Sequence, residues 1–355
     1  MFQNLAKTGV WKVLTVCLIF IFIMIPLGGC TSTEKETIKI KFATPYMDME
    51  PPAFYALHIL DLVEQKLGDR VQIERFTGGT MGTVAELLGS VKSGAVDVIT
   101  LHVDQYPQEL PLHRILNMEQ NVDRETCYNN IVKLTQEIAE TKKILNEELE
   151  KNNIVTLEWM QMGPTSIFTK EKANSLNWVK GKKINVITAY QRKVFEELGF
   201  IPVNVAIPEL YEAMMRGVID AIWMATAASV PLKWYEVSKS VLVIGELNVC
   251  SQPLAFNKSF WNKLPKDVQQ AFIDASKETA LWANKKDKED TDALFAMFRE
   301  RGIDVVVLPP AEVDLFYQTL AKHSIEESLK GAESAGVKDK AEIILKYWEP
   351  LIGYK

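Results

Sequence analysis

The chain has 355 residues, 47% of them hydrophobic and 24% charged, with a formal net charge of -6. It is too long for one minimal core and too apolar for disorder, so two globular lobes are the natural expectation. The acidic balance gives no electrostatic reason to bind nucleic acid or anionic lipid.

The first thirty residues stand apart from the fold. Lys7 and Lys12 precede a stretch without charge from Val13 to Leu27, and "LGGC" follows at Leu27 to Cys30. A basic lead, an apolar core and a small-residue cleavage site make residues 1–29 a secretory signal. The apolar run stops short of the roughly 18 residues expected of a spanning helix. "LGGC" also resembles a bacterial lipobox, which would make Cys30 the lipidated first residue of the mature chain and its anchor to the membrane. Residues 30–37, with "TSTEKET" from Thr31, then form a polar tether. Cleavage removes two lysines and no acids, which moves the formal charge from -6 to -8. Only Cys127 and Cys250 remain in the body. Their separation in sequence argues for no particular bridge, and two buried thiols are the default.

Strand and helix signals then alternate. "IKIKFAT", ending before Pro45, and "RVQIERF" (70–76) alternate apolar and polar residues, with the helical "AFYALHILDLVEQKLG" between them. "AELLGSVKSGAVDVI" (85–99) repeats without gaps as "PELYEAMMRGVIDAI" (208–222), and Glu-Leu, Gly, Asp and Ile recur in both. Each copy is a helix closed by a glycine, Gly94 or Gly217, and followed at once by a strand. The recurring Asp97 and Asp220 are expected to be local structural partners rather than catalytic acids. "GKKINVI", "YQRKVFEELG" and "PVNV" make a second strand-helix-strand arrangement. The whole is α/β, two lobes with mainly parallel sheets. Open sheets bind ligands beyond the carboxyl ends of their strands, so two facing lobes predict a hinged trap for a small molecule.

"FTGGTMGTVAELLGSVKSGAVDV" (76–98), "GKKINV" (181–186), "ELGFIPVNVAIPELYEAMMRGVIDA" (197–221) and "AFNKSFWNKLPKDVQQAFIDA" (255–275) resemble, in that order, the extracytoplasmic solute-binding proteins, DctP-type, of tripartite ATP-independent periplasmic (TRAP) transporters. The resemblance covers almost the whole mature chain. It implies a two-lobe periplasmic-binding-protein-like fold with crossing strands and a long helix spanning both lobes. Residues 268–302 are the uninterrupted stretch for that helix, roughly 50 Å long. The lobes would be 38–162 with 251–290, and 163–250 with 291–355. The function implied is capture of a small organic solute outside the cytoplasm and its delivery to TRAP membrane permease subunits driven by an ion gradient, without cofactor or metal. A sensory or scaffolding lipoprotein on the same fold is the alternative.

Three departures from the family pattern bear on the ligand. Organic-acid binders usually carry an arginine where this chain has Asn185, in a motif like "KIRV", and that arginine grips the substrate carboxylate with two prongs. A second arginine, in "G-x-R", is replaced by Thr165. After the second repeat, where relatives continue with polar residues, this chain has Trp223 and Met224, which would make an apolar, aromatic cleft wall or else simply fill the core. A carboxylate buried without a cation costs several kcal/mol, so the ligand is expected to be uncharged or amphipathic, or an acid held by amides, hydroxyls and backbone.

Trp159, in "LEWMQMG", would stack on a ligand ring or fill a lobe interface. Tyr46 and Thr80 fall on family cleft loops. Arg192 is a replacement cation by position only, since it falls in the next helix, where a solvated face is ordinary. Asp48, Glu50 and Asp104 could take a cationic ligand or a metal, yet they lack dense ligand spacing. His58, His102, His113 and His323 show neither metal spacing nor a partnered nucleophile. No nucleophile–base pair or metal cluster marks an enzyme.

Overall fold

The computed structural model describes residues 37–355. The signal, most of the tether and Cys30 lie outside the described residues.

Two sheets carry the architecture. The first has the order β2-β1-β3-β11-β5, built from β1 (Ile38–Ala43), β2 (Val71–Phe76), β3 (Val98–Thr100), β5 (Ile154–Thr156) and β11 (Leu254–Asn257). The second runs β12-β10-β6-β9-β7-β8, from β6 (Met160–Thr169), β7 (Lys183–Val186), β8 (Ile201–Asn204), β9 (Ala221–Ala225), β10 (Ser240–Ser251) and β12 (Asp304–Val307). The short β4 (Gln120–Asn121) pairs with β10. Ten helices cover them: α1 (Pro51–Leu67), α2 (Val84–Ser93), α3 (Arg124–Val132), α4 (Ala139–Lys151), α5 (Ala189–Leu198), α6 (Leu210–Arg216), α7 (Lys258–Lys263), α8 (Lys266–Glu300), α9 (Pro310–Ser334) and α10 (Lys338–Ile352).

The class is α/β as expected, but the sheets are evenly mixed rather than mainly parallel. Five strand pairs are parallel and five antiparallel. The reason is topological. Each strand-helix-strand unit is parallel, β1-α1-β2 in full register from Ile38↔Val71 to Ala43↔Phe76 and β7-α5-β8 from Lys183↔Ile201. Every antiparallel pair involves β6, β10 or β11. There the chain crosses between sheets, from β5 into β6 and back from β10 into β11. β6 and β10 pair along most of their length with a register shift between Val243 and Asn248.

The repeat is one structural unit used twice. α2 ends at Gly94 with φ 80°, α6 at Gly217 with φ 75°, and each turns directly into a strand. In the left-handed region a Cβ is disfavoured, which is why glycine stands there. Asp97 accepts the Lys41 backbone N–H at 2.8 Å, and Asp220 accepts that of Lys183 at 2.8 Å. In both copies the aspartate's own N–H donates back to the same lysine's carbonyl. The recurring acids are therefore sheet fasteners.

α8 is the predicted long helix, within two residues at each end. Its buried face runs through Val268, Phe272, Ala275, Thr279, Ala283, Asp287, Thr291 and Phe298, at helical spacing. At its middle it packs on α1, where His58 stacks on Trp282 at 4.2 Å; near its end Phe298 meets Phe168 of β6. The contact in between is charged. Asp287 is 7% exposed and pairs with Arg124 Nε at 2.5 Å, while Arg124 Nη2 donates to Thr291. A Cβ on Gly163, at φ 81° in β6, would fall 2.5 Å from Asp287 Oδ1, so the glycine makes room for the carboxylate.

The Cys127 and Cys250 sulfurs lie 3.6 Å apart, both buried, joining α3 to β10 as free thiols.

Candidate functional site

Beyond the carboxyl ends of the strands, residues from both sheets come together. Tyr46 follows β1, and His102 and Asp104 follow β3. Glu119 directly precedes β4. Gln252 sits at φ 56° in the crossing from β10 to β11. From the second sheet, Tyr190 enters at the start of α5, close enough to Glu119, Asp104 and Arg114 to feel their charges.

The polar groups here are only partly matched. The Tyr46 hydroxyl bonds to His102 Nδ1, and the two rings stack at 6.3 Å. Burial lowers the His102 pKa to about 4, so the imidazole is neutral, and burial also raises the Tyr46 hydroxyl, with Glu50 adding to it. Asp104 accepts from Asn117 Nδ2 and faces Arg114 Nε at 4.0 Å. It keeps 40% of its side-chain surface accessible. Desolvation raises its pKa to about 6 against the pull of Arg114 and Asn117.

Glu119 is more isolated. Among the described residues no cation pairs with it, and only its own backbone N–H favours its charge. Burial, with repulsion from Asp104, pushes its pKa up to about 7. Tyr190 is held un-ionised by burial, then by Glu119 and Asp104. Gln252 Oε1 and Asn117 Oδ1 are buried acceptors without a donor, and Arg114 Nε is a buried donor without an acceptor.

The seven residues singled out from sequence are dispersed among strand, core and loop. Asn185 lies in β7, 1% exposed, and its Oδ1 accepts the Trp223 N–H at 2.8 Å. The side chain thus continues the β7–β9 ladder one step beyond the Ile184↔Ala221 pair. Trp223 is 3% exposed and packs on Phe316 at 5.1 Å and Phe195 at 5.9 Å, in the core under α5 and α9. Met224, its neighbour on the opposite face, joins the smaller cluster around Phe168, Met214 and Phe298. Thr165 is buried in β6 in register with Ala225. Trp159 stacks on His113 at 6.4 Å and lines a cavity of about 400 Å³ among α4, β5, α7 and α8; none of the other six lines that cavity. Thr80 is exposed in a glycine turn, its hydroxyl donating to the Thr77 carbonyl. Tyr46 alone of the seven stands in the group around Asp104.

The set-aside residues have ordinary partners. Arg192 is exposed, with Nη1 at 3.4 Å from the Pro202 carbonyl. His113 pairs with Glu148 at 2.6 Å and His323 with Glu197 at 2.8 Å. Among the described residues no group of three or more His, Cys, Asp or Glu could hold a metal. Glu119, Tyr190 and Gln252 were not singled out by sequence. The end-of-strand rule points toward Tyr190; nothing local marks a lone Glu in "NMEQNV".

Two α/β sheets joined by crossing strands, tied by one long helix and turning their strand ends toward a common set of polar residues, define a periplasmic-binding-protein-like solute receptor fold. The chain belongs to the bacterial extracellular solute-binding proteins, family 7, whose profile matches residues 48–327. The C4-dicarboxylate-binding periplasmic protein DctP of Rhodobacter capsulatus is 24% identical over 272 residues, 75% of this chain and 79% of that one. In three dimensions the chain is similar to a TRAP periplasmic solute binding protein of Desulfovibrio salexigens, with a TM-score of 0.76 at 20% identity, covering 88% of this chain and 95% of the other. It is also similar to DctP7 of Bordetella pertussis, a receptor binding pyroglutamic acid, with a TM-score of 0.69 at 21% identity over 88% of this chain and 100% of that one.

Proposed function

We propose that this protein captures a small organic molecule between two lobes, 38–162 with 251–290 and 163–250 with 291–355, and delivers it to TRAP-type permease subunits driven by an ion gradient. Family membership supports a receptor rather than an enzyme, and an extracytoplasmic location. The observation that carries the interlobe site is the meeting of Tyr46, Asp104 and Glu119 with Tyr190 of the second sheet. Lipidation of Cys30 would hold the receptor at the membrane.

The pocket in this reading lacks the clamp that grips a carboxylate. Asn185 and Thr165 stand where the family usually has arginine, and the Asn185 oxygen is committed to the Trp223 N–H. Tyr46 is then the ligand-side group among the seven, while Asn185, Thr165 and Trp223, all buried, support the wall from within. Trp159 and Thr80 belong to its periphery.

A thermal-shift screen tests the reading, since a ligand that binds only the folded state raises the apparent melting point. Some small organic molecules should raise it in proportion to the logarithm of their concentration. Strong stabilisation by common C4-dicarboxylates or sialic acid would contradict the arginine-free pocket.

A further inference from the structure

Two thiols meet where the chain passes between the sheets. Cys127 lies in α3 and Cys250 near the end of β10, and both are fully buried. They are 123 residues apart in sequence, yet their sulfurs stand 3.6 Å from one another. That is van der Waals contact, about 1.5 Å beyond a sulfur–sulfur bond, a gap that a small turn of each side chain about its Cα–Cβ bond closes. Little is lost in closing it. Gln120 Nε2 donates to Cys127 Sγ at 3.2 Å, a contact that a disulfide sulfur still accepts, and the Cys250 S–H gives up only a weak bond to Gln161 Oε1 at 3.3 Å. Both elements carry the junction. Arg124 of α3 holds Asp287 of the long helix α8 at 2.5 Å, while β10, paired with β6, leads through Gln252 into β11 of the other sheet. The family is extracellular, and disulfides form and persist outside the cytoplasm.

We propose that Cys127 and Cys250 join as a disulfide when the chain folds in an oxidising compartment, stapling α3 to β10 at the junction of the two sheets. The staple is independent of which ligand the receptor takes. Its formation is thiol–disulfide exchange with a disulfide-bearing oxidant, small or protein. The thiolate of one cysteine attacks the oxidant's S–S bond and releases one oxidant thiol. The other cysteine's thiolate then attacks that mixed disulfide and releases the second, so two protons and two electrons pass from the pair to the oxidant. The reaction belongs to the folding chain. Once α3 has docked, contact with Cys127, and then burial, hold the Cys250 thiol well above its ordinary pKa, so the native protein offers no thiolate and no path to a reagent. The same burial shields the finished bond from reductants.

The test begins with the full chain, reduced in denaturant and refolded in a buffer of oxidised and reduced glutathione. After trapping with N-ethylmaleimide in denaturant and digestion, the Cys127 peptide should be joined to the Cys250 peptide, lighter by two hydrogens than the two thiol peptides together. Maleimide on both cysteines, or a bond from either to Cys17, Cys30 or a second chain, overturns the inference. The chain refolded in dithiothreitol should melt about 5 °C or more below the oxidised chain, because the bond closes a loop of more than a hundred residues. Added to the oxidised native protein, dithiothreitol should leave the bond intact, and in denaturant it should break it. Equal melting points for the two forms, or a bond opened as fast in the native protein as in the unfolded one, would equally overturn it.

Discussion

The two copies of the helix–turn–strand unit share a scaffold and part company one residue past it. In the first copy β3 runs into Thr100, whose hydroxyl meets that of Thr44 at 2.8 Å, and then into His102 and Asp104. In the second the aligned residue is Trp223, packed on Phe195 and Phe316. Both strands leave the same glycine turn and are fastened by the same aspartate bridge. The repeated part is thus a mounting, and what is mounted differs: one copy leads into the polar residues His102 and Asp104, the other sends an aromatic into the core.

Mutations can break this comparison in graded steps. Trp223→Ala should cost about 3 to 5 kcal/mol of unfolding free energy in denaturant titration, as large core aromatics do. Its counterpart Thr100→Ala should cost only about 1 kcal/mol for a lost hydroxyl contact. Equal losses would mean that the two strand ends are equivalent after all. Asp97→Ala and Asp220→Ala should each cost about 1.5 to 3 kcal/mol, the two values matching closely because each bridge has the same partners. Gly94→Ala and Gly217→Ala should follow at about 1 to 2 kcal/mol, the cost of a Cβ in the left-handed region.

A further effect is in pH. Glu119 is raised to about 7 and Asp104 to about 6. The folded state therefore holds protons that the unfolded chain has released between the ordinary carboxylate range near 4.5 and about 7, and this part of the stability declines as pH rises through that window. Arg114 opposes the effect at Asp104, and Tyr190 stays neutral across it. Glu119→Gln should accordingly gain on wild type from pH 5 to pH 8 in paired thermal melts. A constant difference would place Glu119 in open water.

Much of the scaffold was legible because its rules are local. Helix period, a glycine after the helix and alternation in the strand identify both repeat units, α1 and α8 without any long-range information. The role of Asp97 and Asp220 followed from their occurring twice inside structure. Strand direction was less legible, since it depends on where the chain crosses between sheets, and β6 and β10 carry no local mark of running antiparallel. The site was harder still. Asn185 was expected on the ligand side from a family resemblance, but its bond to the Trp223 N–H depends on the β7–β9 register. The nearness of Cys127 to Cys250 depends on how α3 lies along β10. Glu119 becomes conspicuous only when Asp104 and, from the other sheet, Tyr190 close around it.

The receptor reading meets its most direct trial in native mass spectrometry of the protein purified without refolding. The expected result is a population carrying one small organic molecule per chain, released when the protein is unfolded. A chain found only at its bare mass, and unchanged in melting point by every small organic solute offered, would contradict it.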